Sequence, residues 1–398
     1  MVTVPCTLFF LAGQPRYLRE RRGLAVHAVA SPSPDLSRFG EVEEVTVHPV
    51  RMARRVTPFA DARSLLAMWR LFRELRPVVV HAHTPKGGLL GMMAAFLARV
   101  PVRLYHMHGL PLLTAKGLRK QLLRFSERAS CALAQEVLCV SQSIRQIAVE
   151  EGLCPPRKIK VLLDGSVNGV DAERFRPAAE VDRTAARARL GIPPAGRVVG
   201  YVGRIARDKG MAELAAAWEA LRRGDPQLHL LVVGEVDDSD PPPAWALAQL
   251  REDGRVHFTG QAEDVVRLYA AMDVVALPTY REGFTTVALE TAAMGLPIVA
   301  TAVPGCVDAV LDQSTGTLVP PRDPSALALA LTRYLARPAL REAHGAAARE
   351  RVLARFRREA LWEAIAGEYD LLLGSRRGLS GHALRSRPSD RPAKTRDA

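Results

Sequence analysis

Two carboxylates separated by seven residues, Glu282 and Glu290, bracket the segment Glu282-Gly283-Phe284-Thr285-Thr286-Val287-Ala288-Leu289-Glu290, which follows an apolar run ending at Leu277 and the turn residues Pro278 to Arg281. Gly283 permits a sharp loop, Thr285 or Thr286 can cap a helix that runs to about Met294, and Gly295 with Pro297 stops it. Backbone N–H groups at such a helix start attract an anion. Glu282, in the loop, would face a ligand's uncharged hydroxyls, and Glu290, two turns on, shares the face of the loop-end residues. A second loop, Gly203-Arg204-Ile205-Ala206-Arg207-Asp208-Lys209-Gly210, joins the apolar run 198–202 to a helical segment from Met211. There Arg204 and Lys209 would clamp phosphate oxygens at the carboxyl end of a strand, where open α/β sheets bind ligands. Histidines His81, His83, His106 and His108 form two alternation pairs on strands; the fold needs no metal there, and none is expected.

The elements that must carry these residues alternate between short apolar runs and longer amphipathic segments, the pattern of parallel strands joined by crossover helices. Strands are predicted at Leu24–Ala30, Val45–Pro49, Val78–Ala82, Val102–His106, Glu136–Val140 and Lys158–Leu162. The second half repeats the pattern at Arg197–Val202, His229–Val233, Val256–Thr259, Val274–Leu277, Ile298–Ala300 and Thr317–Val319. Two doubly wound α/β sheets of about six strands each are implied. We expect a first Rossmann-like domain over residues 1–163, a Gly- and Asn-rich linker at 164–177, a second Rossmann-like domain over 178–355, and a helix over 356–374 that crosses back to the first domain. A disordered basic tail is expected at 375–398. A strand should precede the loop near Gly13, yet only Val2 to Pro5 is available, so that strand is either short or has lost residues from its start.

With 398 residues, 48% of them apolar and 24% charged, the chain can bury two cores. The five cysteines are scattered and include no Cys-x-x-Cys pair, which argues for a reducing cytoplasm rather than a disulfide framework. The net charge of +13 is uneven: residues 1–177 carry +12, residues 178–374 carry −4 and the last 24 carry +5. A nucleic-acid partner would explain the total, but no RNP-like strand, zinc spacing or recognition helix is present, so none is expected. The excess instead points to Lys116, Arg119, Lys120 and Arg124, three and four apart with Leu118, Leu122, Leu123 and Phe125 interleaved. That amphipathic helix can lie on an anionic membrane surface, with Arg51, Arg54 and Arg55 adding to it. No stretch reaches the roughly 20 apolar residues that cross a bilayer.

Together, the Glu-Gly-Phe loop, the later Glu, the Met-Gly-Leu-Pro stop and the Arg204/Lys209 loop resemble glycosyltransferase family 4, the retaining sugar-nucleotide transferases of the two-domain GT-B fold. The resemblance covers residues 1 to 372. It implies that Glu282 contacts the donor hexose, Glu290 the ribose hydroxyls, and Arg204 with Lys209 the pyrophosphate. Gly203, Gly283, Phe284, Thr285 and Thr286 complete the donor loops, and Phe258 to Gln261, with Gly260, hold the base. In the first half, Gly13-Gln14, His81-Ala82-His83-Thr84-Pro85-Lys86-Gly87-Gly88 and His106-Met107-His108-Gly109 before Leu110-Pro111 resemble the capsular and exopolysaccharide branch, whose members extend sugars on undecaprenyl-diphosphate carriers. Gly13, Gln14, His83, Thr84, Lys86 and His108 are thereby assigned to the acceptor side, with His108 near the reacting sugar. The implied donor is a nucleoside diphosphate sugar, uridine diphosphate by default, transferred without metal or other cofactor at the cytoplasmic face of the membrane to a lipid-linked saccharide. Two alternatives compete: a sugar-nucleotide 2-epimerase of the same architecture, which would need its own carboxylates and histidine, and a non-catalytic polyanion-binding partner.

Overall fold

A computed structural model describes residues 1–53, 57–262 and 264–377. The first half contains β1 (His27–Ala30), β2 (Thr46–Pro49), β3 (Val79–His83), β4 (Val102–Met107), β5 (Glu136–Cys139) and β6 (Ile159–Val161), paired in parallel as β1-β2 and β3-β4-β5-β6. Residues 1–3 stitch the two groups together: Val2 N–H donates to the Val29 carbonyl (3.0 Å), Ser31 N–H to that of Thr3 (3.3 Å), and His83 N–H to that of Met1 (2.9 Å). These bonds lie where a strand is expected before Gly13, and Pro5 then turns the chain into the 3₁₀ segment Pro5–Leu11. Leu24 and Val26 were expected in β1. They pack instead on the C-terminal helix, and pairing begins at His27.

The second half contains β7 (Arg197–Val202), β8 (Leu228–Val233), β9 (Val256–Gly260), β10 (Val274–Leu277), β11 (Ile298–Thr301) and β12 (Gly316–Val319), in the order β12-β11-β10-β7-β8-β9, all parallel. Strands β7, β8, β10 and β11 are near-continuous apolar runs because helices cover both faces of the sheet. Trp218 and Tyr334 sit fully buried among Val199, Leu230 and Val299 on one of those faces. With residues 1–3 counted as a strand, the two sheets share one winding order, each reversing direction beside a central strand. Ligands bind at that switch point in doubly wound folds. The two-sheet architecture expected from the sequence is the one observed.

The chain then returns. Helix Arg358–Arg377 lays Leu361, Ile365, Ala366 and Tyr369 against Leu18 of helix Gln14–Arg22 and Leu104 and Leu138 of the first sheet. Trp362 Nε1 donates to Asn168 Oδ1 (2.6 Å), Asn168 Nδ2 to the Ala12 carbonyl (2.9 Å), and Val170 N–H to the Phe356 carbonyl (2.9 Å), so the segment joining the two halves is hydrogen-bonded to both. Arg54, Arg55 and the tail beyond Arg377 lie outside the described residues. Among the described residues no helix is long and apolar enough to cross a membrane.

Candidate active site

The loops at the carboxyl ends of β3, β4, β7 and β10 converge on a cleft of about 200 Å³ between the two sheets. From the second half, Arg204, Asp208, Lys209, Arg281, Glu282 and Gly283 line it. Lys209 Nζ lies 2.5 Å from Glu282 Oε1, which fixes the β7 and β10 loops to each other. Arg204, about half exposed at 52%, pairs with Asp237 and stands 3.7 Å from Asp208. Arg281 Nη2 pairs with Asp208 Oδ2 at 2.8 Å, and Tyr280 N–H donates to the Asp208 carbonyl (2.9 Å). Each cation is therefore held in place by a carboxylate. The sequence reading missed Asp208, Asp237 and Arg281, since an acid or an arginine in a loop carries no local mark of a partner more than 30 residues away.

Several of the expected donor residues do not line this cleft. Phe284 is buried and its ring packs on Phe356, with centroids 5.5 Å apart. The buried Thr285 hydroxyl accepts from Ala288 N–H (3.4 Å), capping helix Thr286–Ala293, so its side chain is committed to the helix; Thr286 is the half-buried first residue. Phe258 packs toward the core with Arg251 over its ring at 5.9 Å, and the Gly260 carbonyl accepts from Gly234 N–H (3.0 Å); neither lines the cleft. Gly203 directly follows β7, its N–H donating to the Val233 carbonyl (3.0 Å). Glu290 also lies away from the cleft lining. It accepts from the Tyr269 hydroxyl at 2.8 Å, and burial pushes its carboxyl up to about 7.

On the facing side Thr84, Pro85 and His108 to Pro111 line the cleft. Thr84 begins helix Pro85–Leu97 with a φ of 68°, a backbone strained for a β-branched residue, and its Oγ1 lies 3.1 Å from Thr3 Oγ1. His83, assigned above to the acceptor, is buried and does not line the cleft, and its Nδ1 lies 2.9 Å from His108 Nε2. Burial pushes the His108 imidazole down to about 4. Lys86 is committed to Asp61 at 2.6 Å and does not line the cleft. Nor do Gly13, whose N–H donates to Glu43 Oε1 (2.8 Å) and which packs against Trp362, or the buried Gln14.

The cleft is closed at one end by direct contact between the halves. A Cβ on Gly283 would fall 1.7 Å from the His108 carbonyl oxygen, so only glycine fits there. Ser141 Oγ donates to the Gly283 carbonyl (2.8 Å), Ser143 N–H to Asp308 Oδ1 (3.1 Å), and Gly305 N–H to Ser143 Oγ (2.9 Å). The amphipathic helix spans Gly117–Leu133. It buries Glu127, Ser130 and Cys131 and leaves Leu118 (76%), Leu122 (48%) and Phe125 (70%) exposed beside Lys116 and Arg119, with Lys120 half-buried. Arg124, expected on that outer face, is instead ion-paired with Glu151.

Residues 16–165 match the family described as Glycosyl transferase 4-like domain, and residues 196–337 match Glycosyl transferases group 1. The chain is 31% identical over 379 residues to the capsular polysaccharide biosynthesis glycosyltransferase CapM of Staphylococcus aureus, covering 95% of this chain and 98% of CapM. The chain is a glycosyltransferase of family 4. This family 4 enzyme is also 26% identical to the Escherichia coli UDP-Gal:alpha-D-GlcNAc-diphosphoundecaprenol alpha-1,3-galactosyltransferase, over 71% of this chain and 72% of that one. The fold of the enzyme superposes on Anabaena HepE, solved in complex with UDP-glucose, with a TM-score of 0.76 and 21% identity over 91% of this chain and 96% of HepE. Its two facing sheets are thus the GT-B architecture.

Proposed function

We propose that this glycosyltransferase moves a hexosyl or N-acetylhexosaminyl unit, with retention of anomeric configuration, from a nucleoside diphosphate sugar to an undecaprenyl-diphosphate-linked saccharide during capsule or exopolysaccharide synthesis. The observation that carries the reading is the cleft itself, in which Arg204, Lys209 and Glu282 of one half face His108 and Thr84 of the other. CapM and the E. coli galactosyltransferase supply the capsular and lipid-carrier context, and the UDP-glucose complex of HepE supports a uridine donor.

The chemistry follows from the side chains. A departing nucleoside diphosphate gains negative charge in the transition state, and fixed cations with a helix N-terminus stabilise that growth. Arg204, Lys209 and the N–H groups opening helix Thr286–Ala293 take this role, so the donor diphosphate needs no divalent cation. Glu282, already placed by Lys209, accepts from a donor hydroxyl, and Glu290 from the ribose hydroxyls. Among the described residues, no carboxylate from the first half lines the cleft to act as a nucleophile. The acceptor therefore attacks from the face the diphosphate leaves, its proton passing to the departing phosphate oxygen while His108 orients the hydroxyl. Closure across Gly283 excludes water.

The facing membrane contact is the second part of the reading. Leu118, Leu122 and Phe125, exposed on the helix that follows the His108 loop, enter the lipid interface at the cytoplasmic face, with Lys116, Arg119 and Lys120 over anionic headgroups. The test is incubation with UDP and GDP sugars and a diphosphoprenyl-linked acceptor, with NMR of the product. Transfer with retained configuration is expected; a free epimerised sugar nucleotide would mark an epimerase, and no turnover with any donor a binding protein.

A further inference from the structure

Beside the cleft, β3 and β4 bring His81, His83 and His106 together so that their ligating nitrogens lie within 4.8 Å of one another. His83 and His106 are each only 3% exposed. Two ring nitrogens, His81 Nε2 and His106 Nδ1, are buried without a hydrogen-bond partner, an unfavourable state for a polar atom. The rings crowd, with centroids 4.2 Å apart for His81–His83, 5.3 Å for His81–His106 and 5.4 Å for His83–His106. Stacked imidazoles with unused lone pairs are poor packing material beside the apolar side chains that fill the rest of this sheet.

We propose that His81, His83 and His106 form a tri-histidine site for a borderline transition-metal ion of the Zn²⁺ class, at the floor of the acceptor side of the cleft and separate from the donor diphosphate. Imidazole nitrogen is a preferred donor for such ions, and three protein ligands leave a fourth position for water. Tetrahedral Zn–N bonds of about 2.0 Å place ligand nitrogens about 3.3 Å apart, a shorter spacing than the 4.8 Å within which these nitrogens already lie. The outer partners are in place. The Tyr369 hydroxyl, from helix Arg358–Arg377, lies 2.7 Å from His81 Nδ1, and a proton on Nδ1 aimed at that oxygen leaves Nε2 as the lone-pair donor. His108 Nε2 lies 2.9 Å from His83 Nδ1, which leaves His83 Nε2 for the metal. Burial pushes all three imidazoles well below their usual range. Bound metal would tie β3, β4 and the returning C-terminal helix together beneath His108, the histidine that lines the cleft, and it takes part in no step of transfer.

The experiment uses the untagged full-length chain, stripped with a chelator and titrated with Co²⁺ as a spectroscopic probe, then with Zn²⁺. One equivalent of Co²⁺ should give the visible absorption of a tetrahedral ion, Zn²⁺ should displace it, and the melting midpoint should rise with Zn²⁺ concentration. His81→Phe and His106→Phe should abolish the spectrum, Tyr369→Phe should weaken binding about 10–100-fold, and His229→Phe, at the separate His229–His257 pair of the second sheet, should leave it unchanged. A wild-type chain with neither Co²⁺ absorption nor a Zn²⁺-dependent melt overturns the proposal whether or not the variants fold. So does an unchanged spectrum in both folded histidine variants.

Discussion

Lys209 and Glu282 depend on each other: the ammonium is the fixed partner that orients the carboxylate, and the carboxylate keeps the ammonium in the cleft. Removing one misplaces the other, so Lys209→Ala and Glu282→Ala should each lower kcat/KM by about 10²–10³-fold, the range seen when one preorganised charge-stabilising donor is lost. Both side chains lie on the cleft wall, and the melting midpoint should stay near the wild-type value; retention of near-normal turnover by either variant would remove the donor assignment. Glu290 supplies a pH signature. Its folded carboxyl titrates near about 7, raised by burial, while a ribose hydroxyl donates best to the ionised form. Donor affinity should therefore rise as pH increases through about 7, seen as a falling KM for the sugar nucleotide, and Glu290→Gln should flatten that profile. These residues were legible because each sits in a compact local motif, whereas the Arg281–Asp208 and Ser141–Gly283 contacts join common residue types 73 and 142 positions apart.

Helices and strands were legible in the sequence as periodicity, and that is why both sheets could be anticipated while their edges could not. Leu24 and Val26 read as strand because they are apolar, yet a helix more than 330 residues later takes them as packing. Helix Gly117–Leu133 was legible on its outer face and not on its inner one. Its interleaved leucines and phenylalanine read as one amphipathic face, but nothing in that pattern showed that the buried face holds Glu127, Ser130 and Cys131. Glu127 accepts from the Tyr105 hydroxyl at 2.8 Å, its other oxygen has no partner, and burial raises its carboxyl to about 7. A raised carboxyl favours the protonated form in the folded state. Its stabilisation is complete below the unfolded value near 4.5 and is lost as pH climbs through about 7. Glu127→Gln keeps an acceptor for Tyr105 without a charge to bury, so above neutrality the variant should be more stable by on the order of 1–3 kcal/mol. Chemical denaturation of both proteins across that pH range checks it: the gap should vanish below about pH 5, and a pH-independent gap would show that Glu127 is ionised in the folded protein.

At the scale of the whole molecule the charge of +13 is divided unevenly between the halves, since residues 1–177 hold +12 of it and residues 178–374 are mildly acidic. The cations alone do not make a docking surface. Arg124 is tied to Glu151 and Lys86 to Asp61, which leaves Lys116, Arg119 and Lys120 over the proposed membrane plane. Three such charges contribute about 1 kcal/mol each against an anionic leaflet, whereas inserting Leu118, Leu122 and Phe125 contributes about 1.5–3 kcal/mol per side chain when burial is complete. The apolar share is the larger, and it sets the salt response. Binding to anionic vesicles should weaken at high ionic strength without disappearing, because screening removes only the electrostatic part. Leu118→Ser with Phe125→Ser should abolish vesicle flotation even at low salt, while Arg124→Ala, which breaks an intramolecular ion pair, should leave it intact. Flotation that vanishes with salt alone, or that survives the double serine variant, would show that the enzyme is held by charge and not by the exposed face of this helix.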